Sequence, residues 1–130
     1  MVDALRQSHR VLRPHGQLID ARPDASRIPR VIARGRVRAH LRQGEDADKR
    51  DGASDEAVAR VKADGLFRSL ERGVIWHENT LGDLRALDKY AAGSSRYEGY
   101  VRGERAKLLP FRKGPLSLRR AIKFEVLERL

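Results

Sequence analysis

The first residues of the chain combine a helical pattern with a short apolar segment. After Asp3, the predicted N-cap, apolar and small side chains recur at helical spacing at Ala4, Leu5, Ser8, Val11 and Leu12. Pro14 ends this helix because it removes a backbone donor, and Gly16 frees the turn that follows. Residues 17–21 then predict a short, largely buried strand, which stops at Pro23 because proline cannot continue a ladder of hydrogen bonds.

Apolar and polar side chains alternate along most of residues 31–42. The apolar positions are Val31, Ala33, Val37, Ala39 and Leu41, and the polar ones are Arg34, Arg36, Arg38, His40 and Arg42. A period of two predicts a half-buried strand, or a hairpin that turns near Arg34 and Gly35. Residues 43–53 are polar and glycine-bearing and have no apolar face, so they predict a surface loop.

The remaining residues predict three helices and two strands. The predicted order is a helix at 54–65, a strand within 66–78 centred on 74–76, a helix at 80–93, a helix at 95–109 and a last strand around 122–126. Ser54 is a predicted N-cap, whereas Thr80 with Asp83 and Ser95 with Glu98 have the spacing of capping boxes. No repeat or linker interrupts the chain. Residues 1–130 therefore predict one α+β domain with a small mixed or mainly antiparallel sheet and packed helices.

Composition narrows the chemistry that the chain can carry. Its 130 residues include no cysteine, which excludes disulfides and thiolate sites and fits a reducing, cytoplasmic location. No two of the four histidines have the spacing of a helical zinc pair, so we expect no metal site. Apolar runs are shorter than the roughly 20 residues that a membrane helix needs, and the N-terminus lacks a signal-peptide core.

A net charge of +10 favours acidic partners on electrostatic grounds. Seven arginines against one aspartate between residues 22 and 42 supply +6 of it, and Arg34, Arg36, Arg38 and Arg42 would project from one strand face toward phosphates. No aromatic residue that could stack on a base lies in this stretch. The alternative is a solvated sheet face, partly neutralised by the acidic segment 45–51, in an arginine-rich chain of the kind that GC-rich genomes encode.

The sequence does not indicate a set of catalytic residues. His77 and Glu78 lie beside Trp76, and Asp20 ends the first predicted strand, but no pattern brings these residues together. Ser95 is a predicted helix cap, without the glycine-flanked elbow of a serine nucleophile. We therefore assign no catalytic residue.

One segment resembles a known family. His-Arg-Val-Leu-Arg-Pro-His-Gly at 9–16, followed by Gln-Leu-Ile-Asp at 17–20, resembles the helix and fifth strand of class I S-adenosylmethionine-dependent methyltransferases. The family's usual form is Val-Leu-Arg-Pro-Gly-Gly before an apolar strand, and here His15 replaces the first glycine. Gly-Leu-Phe at 65–67 and the strands that follow resemble, in order and type, the antiparallel sixth and seventh strands that end such enzymes.

The resemblance implies half of a methyltransferase fold. The family holds its cofactor with a glycine-rich turn and an acidic residue that precede the segment found at 9–20, and the glycines of this chain form no such cluster. We therefore expect no cofactor, no methyl transfer by the chain alone, and a role in subunit association or substrate-side support. The alternative function is a basic module that binds RNA or another polyanion. Because the strand at 17–21 would have an unpaired edge, we also expect a homodimer.

Overall fold

The computed structural model describes residues 1–130 as an α+β fold in which every strand pairing is antiparallel. The elements are α1 (Val2–Val11), β1 (Gln17–Pro23), β2 (Arg30–Ala33), β3 (Arg36–Gln43), α2 (Glu45–Ala63), β4 (Phe67–Leu81), α3 (Leu84–Gly93), β5 (Tyr97–Tyr100), a 3₁₀ helix (Arg105–Phe111) and β6 (Leu116–Arg129). The predicted α+β fold with a mainly antiparallel sheet is confirmed.

The last strand, β6, organises the six-stranded sheet. Its whole length pairs with β4 on one side, while its other side pairs with β2 at residues 117–119 and with β1 at residues 122–128. Arg120 and Ala121 have no strand partner on that second side, so a gap separates β1 from β2. The outer sides of β1 and β4 carry no strand, and both are edges of the sheet.

Two cores lie on opposite faces of the sheet. One core joins β2, β3 and β6 to α3 and the 3₁₀ helix, and β6 contributes Leu116 and Leu118 to it. The other core packs α1 and α2 against the opposite face, to which β6 contributes Leu127. Because side chains alternate along a strand, Leu118 and Leu127 have opposite parity and point to opposite faces. β6 therefore links the two cores.

The arginine-rich segment is a hairpin rather than a single strand. Arg34 and Gly35 have φ values of 50° and 75°, which form the tight turn between β2 and β3. A bulge in the pairing falls between Val31 and Ile32, so the alternation of the sequence does not map onto one continuous face. Of the two structures predicted for this segment, the hairpin is confirmed.

The first two elements are less buried than the pattern predicts. Helix α1 begins at Val2 with Met1 as its N-cap, so Asp3 lies in the first turn instead of capping it. Val11 is 72% exposed and Ile19 is 70% exposed, because the second core covers only one side of each element. The expectation of a largely buried strand at 17–21 is wrong; β1 alternates between exposed and half-buried positions.

The predicted loop at 43–53 is also wrong, since α2 already begins at Glu45. Ala47 is fully buried, and buried Asp51 accepts a hydrogen bond from Arg96 Nη2 at 2.8 Å. These tertiary contacts stabilise the polar first turns of the helix. Ser54 consequently lies inside α2, where its hydroxyl donates to the carbonyl of Arg50 at 3.1 Å instead of capping a helix.

Two further helix boundaries differ from the prediction. Residues 80 and 81 complete β4, and α3 starts after Asp83, whose carboxylate accepts a hydrogen bond from the Ala86 amide at 2.8 Å. Residues 95–109 form no α-helix, because Tyr97 enters the first core and pairs with Gln43 of β3. Gly99 and Gly103, with φ of 82° and 79°, then turn the chain into the 3₁₀ helix.

Candidate functional site

Two of the candidate arginines surround one aromatic ring. The guanidinium of Arg38 lies 4.5 Å from the centre of the Phe111 ring, and that of Arg34 lies 5.6 Å from it. Arg38 is further held by a hydrogen bond from its Nε to the Ala33 carbonyl at 3.0 Å. Both distances suit cation–π attraction, so the hairpin tip and the end of the 3₁₀ helix form one basic cluster.

The other two candidate arginines lie apart from this cluster. Arg36 is exposed and makes no ion pair, whereas Arg42 donates to the Glu98 carbonyl at 3.2 Å and lies 3.7 Å from the Glu98 carboxylate. The hairpin turn and the bulge therefore divide the four predicted arginines. Only Arg34 and Arg38 share a contact surface.

The residues considered for acid–base chemistry are separated. Asp20 pairs with Arg22 on β1, Glu78 lies 3.4 Å from Arg119, and His77 contacts Asn79 at 3.0 Å. Trp76 is engaged by Arg30, whose guanidinium lies 4.1 Å from its ring centre. Each of these groups has a structural partner, and no catalytic set is formed. Nor does any group of three or more histidine, aspartate or glutamate side chains have an arrangement suited to a metal ion.

A network of ion pairs joins α2 to the sheet. Asp55 of α2 pairs with Arg22 of β1 and with Lys123 of β6, the latter at 2.7 Å. Beside it, Lys62 donates to buried Glu125 at 2.8 Å. Burial would raise the pKa of Glu125, but hydrogen bonds and positive charge from its neighbours, Lys62 foremost, outweigh that cost, and the pKa is lowered. This network fixes α2 on its face of the sheet.

The opposite face of the sheet carries an open apolar surface beside the β1 edge. Ile19 is 70% exposed and pairs with Val126 of β6, while Ile75 of β4 is 54% exposed and pairs with Ile122. Between these pairs the ring of Phe124 lies over Gly73, where a Cβ atom would come within 2.9 Å of the ring. We call these residues, together with Ala21, the apolar face. It is continuous with the unpaired edge of β1.

A small cavity lies in the gap between β1 and β2. It has a volume of about 180 Å³ and is bounded by Ala21, Arg22, Pro23, Asp24, Arg27, Pro29, Gln43, Arg96, Tyr97, Arg120, Ala121 and Ile122. Tyr97 is only 7% exposed, and its hydroxyl has no hydrogen-bond partner; the same is true of buried Nε of Arg120. Burial raises the pKa of the Tyr97 hydroxyl, an effect that the charge of Arg120 opposes.

Sequence inspection missed this cavity. Tyr97 lies in a segment predicted as helical, and Arg120 lies just before the predicted last strand, so nothing local joins them. The signal that marks the cavity is a buried tyrosine hydroxyl and a buried arginine Nε that require polar partners, and this signal exists only once burial is known. Their proximity arises from the pairing of β3 with β5 and of β2 with β6.

The structure also tests whether the residues fit S-adenosylmethionine. Helix α2 directly follows β3 through Gly44, but its first turn carries Glu45, Asp46 and Asp48, which repel an anionic group. The next helix to follow a strand, α3, has its N-terminus occupied by Asp83. Neither helix start offers free backbone donors and a glycine cradle, so the residues do not fit this cofactor.

Comparison with known proteins identifies no relative. No protein-family model, curated protein or solved structure matches the chain. No helix of the structure combines the length and the apolarity needed to cross a bilayer.

Proposed function

We propose that the chain is a methyltransferase-like half fold that acts by associating with a second copy of itself and transfers no methyl group alone. The observation that carries the proposal is the open edge of β1 beside the apolar face. A cytoplasmic location, expected from the cysteine-free sequence, belongs to the same proposal.

The order and pairing of three strands support the family resemblance. The strand that resembles the family's fifth strand is β1, and the antiparallel pair that resembles its last two strands is β4 and β6. Within this pair, β6 is the strand that also pairs with β1. The other side of β1 is open, as the side of the family's fifth strand would be without its neighbour. In addition, His15 has φ of 63°, the left-handed conformation that favours the glycine usual in the family's motif.

Exposed apolar area adjoining a free strand edge supports association. An unpaired edge presents backbone donors and acceptors, and the side chains of Ile19 and Ala21 bring no charge to repel another strand. A two-fold axis near Ile19 would place the two copies of this side chain against each other and extend both sheets. Burying the apolar face in the same contact would stabilise the dimer further.

Sedimentation equilibrium tests this association. The monomer mass is 14.7 kDa, so a dimer weighs twice that, 29.4 kDa. We expect a dimer at micromolar concentration and expect Ile19→Lys to dissociate it, because two like charges would then face each other. Val37→Lys is the matched control, since Val37 is an exposed apolar strand residue on β3, away from β1. A mass of 14.7 kDa at every concentration, or equal dissociation by both variants, would contradict the proposal.

A second function, binding of RNA or another polyanion, is favoured by one observation. Arg34 and Arg38 flank the Phe111 ring, which supplies the aromatic group that the arginine-rich segment itself lacks. Such a combination of cations and a ring suits contact with phosphates and a stacked base. RNA retention should then fall steeply with salt, and the Arg34→Ser/Arg36→Ser/Arg38→Ser variant should reduce both affinity and salt slope. Equal retention by wild type and this variant would exclude the hairpin as the site.

A further inference from the structure

Two residues that line the cavity between β1 and β2 each have a buried polar atom without a partner. The Tyr97 hydroxyl and Arg120 Nε are buried without hydrogen-bond partners. Buried polar groups in folded proteins are nearly always satisfied by protein, water or ligand, and an unsatisfied one lowers stability. Because both residues line the same cavity, a single acceptor placed there could satisfy the two atoms together.

The charges around the cavity leave one cation free. Three of its four arginines already have carboxylate partners: Arg22 pairs with Asp20 and Asp55, Arg27 with Asp24, and Arg96 with Asp51. The fourth, Arg120, has no carboxylate partner, and its buried Nε has no hydrogen-bond partner. The lining of the cavity therefore includes one arginine without a carboxylate partner, which suits a monoanion better than a phosphate dianion.

Size and lining restrict the remainder of the ligand. The apolar part of the lining includes Pro23, Pro29 and Ile122, and a cavity of about 180 Å³ is smaller than the sites of drug-sized ligands. Benzene fits an apolar cavity of about 150 Å³, so a ring that carries one polar group matches this space. Ala21, Pro23 and Arg27 are exposed, so the cavity is open to solvent on the β1 side.

We infer that this cavity binds a small organic monocarboxylate, whose carboxylate oxygens accept hydrogen bonds from Tyr97 and Arg120 and whose apolar body packs on Pro23, Pro29 and Ile122. The carboxylate neutralises the one free arginine and satisfies both orphan donors. Tyr97 and Arg120 are thus the specificity-determining residues of the site. This inference does not rest on the proposed function, because it requires neither the open edge of β1 nor the Phe111 cluster.

Titration of the full chain with benzoate tests the inference, with neutral benzamide as the matched probe of similar shape. Isothermal calorimetry and amide NMR shifts should report benzoate binding with a Kd of roughly 0.1–1 mM, as expected for so small a ligand. Benzamide should bind at least about tenfold more weakly, because it brings no charge to Arg120. The shifts should centre on residues 21–29, 97 and 120–122.

Variants separate a ligand site from a structural role. Arg120→Met should weaken benzoate about tenfold or more, and Tyr97→Phe about threefold to tenfold, whereas Arg85→Met, an exposed arginine on α3, should change nothing. Without ligand, Arg120→Met should keep or raise Tm, because it removes an unpaired, partly buried charge. Four results would each overturn the inference. Two concern other ligands: benzamide binds as tightly as benzoate, or inorganic phosphate binds more tightly. The others are NMR shifts in the predicted region that persist in Arg120→Met, and a cavity that holds only water at saturating benzoate.

Discussion

The turn between α1 and β1 allows opposite predictions for two neighbouring residues. His15 has φ of 63°, a left-handed conformation that costs a non-glycine residue about 1–2 kcal/mol. Gly16 has no such φ, but a Cβ atom on it would lie 2.8 Å from the Arg13 carbonyl oxygen and 3.3 Å from Leu12 Cδ2. The turn cannot relax easily, since the His15 amide donates to the Arg129 carbonyl at 3.2 Å and the Arg129 amide donates to the Gly16 carbonyl at 2.8 Å.

These geometries determine the sign and size of each effect. His15→Gly relieves about 1–2 kcal/mol of strain and loses about 0.5–1 kcal/mol through the greater freedom of glycine in the unfolded chain, so the midpoints of the two ranges give a net gain of about 0.75 kcal/mol. The side chain of His15 is 80% exposed, so little packing is lost. Gly16→Ala should instead destabilise the protein by about 1–3 kcal/mol, because its methyl group overlaps backbone that is fixed on both sides.

Urea unfolding followed by circular dichroism and by the fluorescence of the single tryptophan, Trp76, measures both changes. His15→Gly should raise the midpoint and Tm by roughly 2–4 °C, and His15→Ala, which keeps the strain, serves as the control. A neutral or destabilising His15→Gly, or a neutral Gly16→Ala, would show that the turn relaxes and would refute the assignment of strain to His15.

Three further outcomes are expected. The Arg34→Ser/Arg36→Ser/Arg38→Ser variant should keep the circular dichroism spectrum and lose about 1–2 kcal/mol of stability, because the contacts with Phe111 and the hydrogen bond from Arg38 to Ala33 disappear; an unfolded variant would contradict the placement of these residues at the surface. Glu125→Gln should destabilise the protein by about 1–3 kcal/mol near neutral pH. Because the pKa of Glu125 is lowered in the folded state, its contribution to the free energy of unfolding is present above about pH 4.3 and is lost as pH falls through the folded pKa. The variant should therefore lose stability less steeply in acid than the wild type. Identical pH profiles of stability would refute this. Calorimetric titration with S-adenosylmethionine should give no heat of binding, and micromolar affinity would overturn the conclusion that the residues do not fit it.

Local sequence signals determined the elements whose ends depend on backbone chemistry. Pro14 and Gly16 mark the turn after α1, the alternation around Arg34 and Gly35 predicts the hairpin, and Gly65 and Gly93 mark the ends of α2 and α3. These signals act over a few residues through proline geometry, glycine freedom and the period of two. The α+β class follows from the same patterns, which is why it was predictable.

Contacts between distant residues decided the rest. Asp51 is helical because Arg96 pairs with it, and Tyr97 is in a strand because β3 pairs with β5, although both surrounding sequences favour another structure. The cavity likewise needs Tyr97 beside Arg120, and the basic cluster needs Arg34 and Arg38 beside Phe111. Single-residue preferences amount to less than about 1 kcal/mol, and burial or pairing across the fold outweighs them, so these features exist only once the sheet has formed.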